Sequence, residues 1–292
     1  MSYKVDDNTY GIADFQTELL NILREFIKIC DKYSLRWWAC GGTCIGALRH
    51  NGFIPWDDDL DVAMPRPDYE KLWSLRNEIN RDSRFVITRT EKGKNYHHRV
   101  MQLVDIQTTF IHARNANEDI EHGVYIDIIP MDACAPSKIG YCHQVLNAML
   151  FSVYNIQCLP EYNDGKVVSK LTEIALKLVK SPEKRYRIWK HCEKQITKYD
   201  WTSAKAIAFL CCDVKGLLHL CDASWFSNVK KHKFEDIDIN IPIEAEKYLT
   251  YIFGDYMQLP PEESRHPGHK TKLIDLEKPY IQYKGKYYCV KE

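Results

Sequence analysis

Residues 41–61 read GGTCIGALRHNGFIPWDDDLD, and this stretch decides how the chain is read. A glycine pair, Gly41 and Gly42, precedes four acids, Asp57, Asp58, Asp59 and Asp61, gathered in five positions. Even solvated, like charges at this spacing repel by about 1 kcal/mol per close pair. A fold that needed only polarity has no reason to collect them, so a cation is expected in their midst. If residues 59–64 form a short strand, its period of two puts Asp59 and Asp61 on one face and Leu60 and Val62 on the other. Hard oxygen ligands clustered this way suit Mg2+ or Mn2+, which commonly take their remaining ligands from water and substrate phosphates. The glycines fit the same chemistry. Between an apolar strand over 35–40 and a helix over 43–50, they let backbone N–H groups approach a phosphate at a helix N-terminus, where the partial charge is positive. Thr43 is placed to cap that helix. Arg49 and His50, at its far end, can meet a phosphate or simply satisfy the helix dipole. The plainer alternative for the acids is a surface loop or a calcium site.

Upstream, apolar residues from Phe15 to Cys30 recur at intervals of three and four, the stripe of an amphipathic helix over 14–33. Downstream, a helix over 67–79 is followed by strands over 84–90, 96–104 and 108–113. The cluster Tyr96, His97, His98 and Arg99 offers basic groups that can hold a diphosphate, with a solvated strand end as the alternative. The run VYIDII over 124–129 is apolar but for Asp127. A carboxylate within a buried strand costs several kcal/mol unless paired or metal-bound, so Asp127 needs a cation, and the site of Asp59 and Asp61 is the candidate. Asp132 reads as a turn or cap residue.

Past Pro136 the pattern turns helical, over 141–159, 167–180, 182–199 and 203–209. The second of these is expected to bury Leu171, Ile174, Ala175, Leu178 and Val179 and to expose Lys170, Lys177 and Lys180; a membrane surface is the alternative setting for it. A strand over 234–242 and a helix over 244–253 follow. Arg265, His266, His269 and Lys270 then form a basic segment expected to fold over a phosphorylated ligand, with a polar surface tail as the alternative. These changes of character divide the chain into residues 1–135, a core, and 136–292, a mainly helical part packed on it.

Composition sets the outer limits. The 40 basic and 40 acidic side chains among 292 residues balance, so no net field argues for nucleic acid or an anionic membrane. The polar N-terminus shows no signal peptide, and the apolar run over 145–159 falls short of the roughly 20 residues a spanning helix needs. A soluble cytoplasmic chain is expected. The 11 cysteines, with no C-x-x-C pair, read as reduced thiols; Cys211, Cys212, His219 and Cys221 lack usual zinc spacing.

The stretch 41–64, together with GVYIDIIPMD at 123–132, FGDYM at 253–257, LPPEE at 259–263 and Arg265-His266, resembles the signature of the LicD family, whose relatives include fukutin-type proteins of the nucleotidyltransferase superfamily. The resemblance implies an α+β fold, a nucleotidyltransferase-like mixed sheet flanked by helices with a mainly helical C-terminal part. It implies metal-dependent transfer of phosphocholine from CDP-choline to a hydroxyl of a cell-surface glycan precursor, of teichoic acid or lipopolysaccharide type, with Mg2+ or Mn2+ as cofactor. Asp59, Asp61 and Asp127 would be catalytic and metal-binding, with Asp57 a further ligand. Gly41, Gly42, Thr43, Arg49, His98, Arg265 and His266 would bind the donor. The acceptor would be a glycan or lipid-linked glycan, met with at most peripheral membrane association at the inner face. Two alternatives keep the site: transfer of another phospho-alditol or nucleotidyl group, and a non-catalytic nucleotide or sugar-phosphate module.

Overall fold

The computed structural model describes residues 10–157, 166–211 and 216–290. In chain order its elements are α1 (Ala13–Tyr33), β1 (Trp38–Ala39), α2 (Gly41–His50), β2 (Asp61–Pro65), α3 (Arg66–Ser74), α4 (Arg76–Ile79), β3 (Phe85–Thr88), β4 (Met101–Asp105), β5 (Thr109–His112) and β6 (Val124–Ala133). They continue with α5 (Lys138–Ile156), α6 (Lys166–Leu178), α7 (Pro182–Ile196), β7 (Ala206–Ala208), β8 (Cys221–Asp222), β9 (Val229–Phe234), β10 (Ile237–Pro242), α8 (Ala245–Phe253) and β11 (Thr271–Asp275). The class is α+β, as expected. Cys212 and Leu159, which figured in the expectations, lie outside the described residues.

The chain divides into two units, and not at residue 135. The first comprises Met1–Thr88, Gln102–Ile129 and Ala223–Glu292; the second comprises Arg89–Met101 and Pro130–Asp222. The last stretch of sequence therefore belongs with the sheet that carries the acids.

In the first unit the strands run β1-β2-β6-β4-β3, with β1 antiparallel to β2 (Trp38 opposite Ala63) and β3 antiparallel to β4 (Phe85 opposite Asp105). Helix α1 buries Phe15, Leu19, Ile22, Leu23 and Phe26 along one stripe and stops where Ser34 takes a left-handed conformation. Trp37 and Trp38 are both core residues, and Trp38 donates its Nε1–H to the carbonyl of Asn228. The strand expected over 234–242 is a hairpin, β9 and β10, turning at Glu235 with φ 55°. β11 pairs antiparallel with β5, Asp275 facing Thr109.

In the second unit the end of β6 pairs with β7 and β7 with β8. Asp132, expected at a turn, is a buried strand residue opposite Ala208. Residues 203–209, expected to be helical, contain β7 instead; a short apolar run carries too little periodicity to separate strand from helix. Ser181 accepts from the N–H of Lys184 to cap α7, which begins at Pro182. Gln144 of α5 is fully buried: its amide donates to the carbonyls of Ala133 and Ile196 and accepts from the N–H of Ala135. Arg89 and Glu193 form an ion pair buried on both sides. The outward face of α6 reverses the expectation, because Leu171, Ile174 and Leu178 are exposed whereas Thr172 is buried.

Candidate active site

Two side chains outside the acidic run hold it in place. Gln16 of α1 donates through Nε2 to the carbonyls of Ile54 (3.1 Å) and Asp57 (2.9 Å), pinning the Pro55 loop. Thr43 does not cap α2: the helix starts earlier, at Gly41, and Thr43 lies inside its first turn. From there its Oγ1 accepts the backbone N–H of Asp61 at 2.8 Å, fixing the start of β2 against the helix. The expectation failed because the glycine pair was assigned to a turn, whereas Gly41, at φ 52°, is the residue that launches the helix.

The acids crowd this glycine corner. A Cβ on Gly42 would stand 2.5 Å from Oδ2 of Asp57, and one on Gly41 would stand 3.5 Å from Oδ2 of Asp61. Both carboxylates thus lie beside the N-terminus of α2, where the helix favours negative charge. Leu60 is buried behind them, as is Val62, so the alternation expected from the sequence is present. The backbone N–H of Asp127 donates to the carbonyl of Leu60 at 3.0 Å, which brings β6 alongside. In β6, Val124, Ile126 and Ile128 are buried while Tyr125 and Asp127 keep part of their surface open on the opposite face. Asp127 is therefore not sealed in a core strand, and Nε2 of Gln102 on β4 donates to its Oδ1 at 2.8 Å. Asp58, Asp59 and Asp127 line a cleft walled by Leu60, Phe110, Tyr125 and His269.

Burial dominates the electrostatics, and mutual repulsion adds to it. Burial, then the Asp59 charge and a hydrogen bond with Asp59, pushes Asp57 up to about 8. Burial likewise raises Asp59. Asp61 is held well above the usual carboxylate range by burial and then by Asp59, Asp127 and Asp57. Burial carries Asp127 to about 6 against the opposing pull of its Gln102 bond. The four acids thus feel one another across a single space, and their proton affinity is high. Asp58 differs. Burial would raise it, but the His269 ring and the N–H groups of Gly268 and His269 outweigh that and hold it below the ordinary value.

That last contact is a strap from the far end of the chain. Asp58 accepts from Gly268 N–H (3.0 Å), His269 N–H (3.1 Å) and His269 Nδ1–H (3.0 Å). The bond to Asp58 raises the His269 imidazole against the opposing effect of its burial. Next to it, burial and then His269 push His112 down to about 3, leaving a neutral ring. Burial and the acids raise the Tyr125 phenol, whose hydroxyl is hydrogen-bonded with Nε2 of His112 at 2.9 Å.

Of the basic segment, then, His269 joins the acids directly. Arg265 donates to the carbonyl of Pro260 and stacks its guanidinium 5.6 Å from the centre of the Trp56 ring. His266 and Lys270 are exposed. Arg49 is buried, its guanidinium bonding the carbonyls of Tyr256 (2.7 Å) and Gln258 (3.3 Å) and Nε2 of His50. His98 lies in the second unit, buried, with Nδ1 against the carbonyl of Val100 at 2.7 Å. Gln16, Gln102 and His112 did not stand out in the sequence, since neutral polar residues in periodic segments carry no charge signal.

Among the described residues, no three His, Cys, Asp or Glu side chains stand as a preformed metal cage. Magnesium does not require one, since it is commonly bound by one or two carboxylates and completed by water and phosphate oxygens. The donor set of Asp57, Asp59, Asp61 and Asp127 is of that hard-oxygen kind, and a cation would relieve the repulsion that raises their proton affinity.

Residues 34–133 match the LicD/FKTN/FKRP nucleotidyltransferase domain. The lipopolysaccharide cholinephosphotransferase LicD of Haemophilus influenzae is 25% identical over 88% of this chain and 96% of its own length. The human ribitol-5-phosphate transferase FKTN is 30% identical over 66 residues, 23% of this chain and 14% of that protein. Mannosyltransferase regulator 4 of Saccharomyces cerevisiae is 24% identical over 55% of this chain and 14% of its own length. Over residues 34–133 the chain is similar to the LicD-type nucleotidyltransferase domain, and it is an enzyme of the phosphotransferase class.

Proposed function

From the similarity of residues 34–133 to the LicD-type nucleotidyltransferase domain as premise, we propose that the enzyme transfers phosphocholine from CDP-choline to a hydroxyl of a cell-surface glycan precursor, of teichoic acid or lipopolysaccharide type, releasing CMP. The observation that carries this reading is the acid cluster itself: Asp59 and Asp127 line one cleft, Asp57 and Asp61 stand beside the adjoining helix N-terminus, and the four acids feel one another's charge. The choline group is taken from the named activity of the Haemophilus influenzae relative.

Asp59, Asp61 and Asp127, with Asp57, are the residues that would hold Mg2+ or Mn2+. Such an ion supplies charge neutralisation on the donor phosphates and stabilises the charge that develops during transfer. In the reaction the acceptor hydroxyl oxygen forms a bond to the phosphocholine phosphorus, the P–O bond to CMP breaks, and CMP leaves with the electron pair. A carboxylate of the cluster takes the hydroxyl proton; carboxyls whose pKa lies near the working pH suit that role. His269, bonded to Asp58, stands in the wall of the cleft. Tyr125 and Phe110, with ring centres 5.8 Å apart, offer aromatic faces to a trimethylammonium group. The face of Trp56 already carries Arg265.

No helix among the described residues is long and apolar enough to cross a membrane. We assign the reaction to the cytoplasmic side, at the inner membrane face, where a nucleotide donor and a lipid-linked acceptor meet.

A second donor class is favoured by the FKTN relative, a ribitol-5-phosphate transferase by name. The test is to incubate the purified protein with a panel of nucleotide-activated donors, Mg2+ and glycan acceptors, with and without EDTA, and to identify the nucleotide product by mass. CMP released only with CDP-choline and acceptor, and abolished by EDTA, is the expected result. Release dependent on CDP-ribitol moves the reading to the phospho-alditol. Release from no donor overturns the transfer reading and leaves a binding module.

A further inference from the structure

The second unit presents a surface for which the transfer chemistry has no use. On α5, Ile139, Leu146 and Met149 recur at intervals of seven and three and so share one side of the helix, and Ile139 is 86% exposed. On α6, Leu171, Ile174 and Leu178 recur at three and four, with Leu171 60% and Leu178 79% exposed. The two helices are tied together where the Tyr154 hydroxyl of α5 donates to the carbonyl of Ala175 in α6 at 3.2 Å. Single exposed apolar residues are ordinary on a protein surface; two helical stripes on joined helices are not.

The charges beside the stripes are predominantly basic. Helix α5 contains no Asp or Glu and starts at Lys138, which is exposed. On α6 the exposed Lys170 is joined by Lys177, which pairs with the single acid Glu173, and the exposed Lys180 follows the helix. Lysines flanking an apolar stripe let the stripe sink into a lipid interface while the ammonium groups reach the phosphate layer. At 13 residues, α6 spans about 20 Å, a length suited to lying in the interface plane and too short to cross the hydrocarbon core.

We propose that α5 and α6 seat the protein on the headgroup layer of an anionic phospholipid bilayer. The inference rests on the proposed transfer only for its purpose: a lipid-linked acceptor would be met at the same surface. The docking itself stands on exposure and charge.

The test uses the full chain with two kinds of vesicle, phosphatidylcholine alone and phosphatidylcholine with 30% phosphatidylglycerol, read by co-sedimentation. Wild-type protein should pellet with the anionic vesicles. An Ile139→Glu/Leu171→Glu/Leu178→Glu variant, altered only at exposed positions and checked by thermal melting, should bind at least about tenfold more weakly. Lys170→Glu/Lys177→Glu should reduce binding to the level seen with neutral vesicles. The proposal is overturned if wild-type protein stays in the supernatant with both vesicles or if the apolar variant pellets equally well. It is also overturned if light scattering shows a dimer that the variant dissociates while no vesicle binding occurs, since a second copy would then own the face. Donor-dependent nucleotide release in solution is followed in parallel and should be unchanged in both variants. Vesicle binding without nucleotide release would sink the transfer reading alone, and release without vesicle binding would sink the docking alone.

Discussion

Replacing Gly42 by alanine adds one methyl group at the start of α2, and the structure says where it would go. The new Cβ would stand 2.5 Å from Oδ2 of Asp57, whereas ordinary contact begins at 3.4 Å. The Asp57 carboxylate must therefore retreat by about 1 Å, and a misplacement of that size at a reacting centre lowers turnover by about a hundredfold. Stability should move the other way. Gly42 has no positive φ, and alanine in place of glycine within a helix is favoured by up to about 1 kcal/mol. Gly41→Ala is the matched control: its Cβ would meet Asp61 at an ordinary 3.5 Å, but φ 52° strains it by about 1–2 kcal/mol. Nucleotide release from the activated donor and thermal melting, measured on both variants, should give opposite patterns. Gly42→Ala should lose about a hundredfold in turnover but be no less stable, and Gly41→Ala should be less stable but active while folded. Wild-type turnover in Gly42→Ala would refute the reasoning, because Asp57 would then have no need of its position.

Asp127→Asn keeps the acceptor for Gln102 and should melt like the wild type, while donor turnover falls by about 10²–10³-fold if the charge acts on the reacting phosphates. Asp58→Ala removes the acceptor of three hydrogen bonds and should speed amide exchange over 268–271 before it lowers global stability; unchanged exchange there would show that the strap is held by other contacts. Gln144→Leu strands two buried carbonyls and one partly buried N–H and should cost about 3 kcal/mol in denaturant unfolding. Glu18 is raised to about 7 by burial and by its hydrogen bond with Asp105, so the folded state holds its proton more tightly than the unfolded state does. Its contribution to stability is therefore present below the unfolded pKa and lost as pH rises through about 7. Glu18→Gln should flatten the decline in melting temperature between pH 5 and 8, and an unchanged slope would assign that decline to other acids.

What could be read in the sequence was local. The alternation of Asp59 and Asp61 with Leu60 and Val62, the stripe of α1 and the isolated acid in β6 all follow from period and charge, and each is present in the structure. Periodicity tells which residues share a side, not which way that side faces, so it groups Leu171, Ile174 and Leu178 without showing that they are exposed. Contacts between remote segments left no local trace either. Nothing near Asp58 announces a bond to a histidine 211 positions later, and nothing in Thr43 distinguishes a cap from an acceptor for Asp61. The cut at residue 135 failed for the same reason: composition changes there, but β11 returns to pair with β5.

The strap on Asp58 also bears on how small a working fragment could be. The matched family region, 34–133, holds every carboxylate of the cluster, yet excising it would discard Gln16, which anchors the Pro55 loop, and His269, which fastens the middle acid. It would also strip Tyr248 from the amide of Gly41. Such an excised piece would keep the ligands and lose their fixings from both flanks, so the smallest autonomous catalyst must reach from α1 to β11.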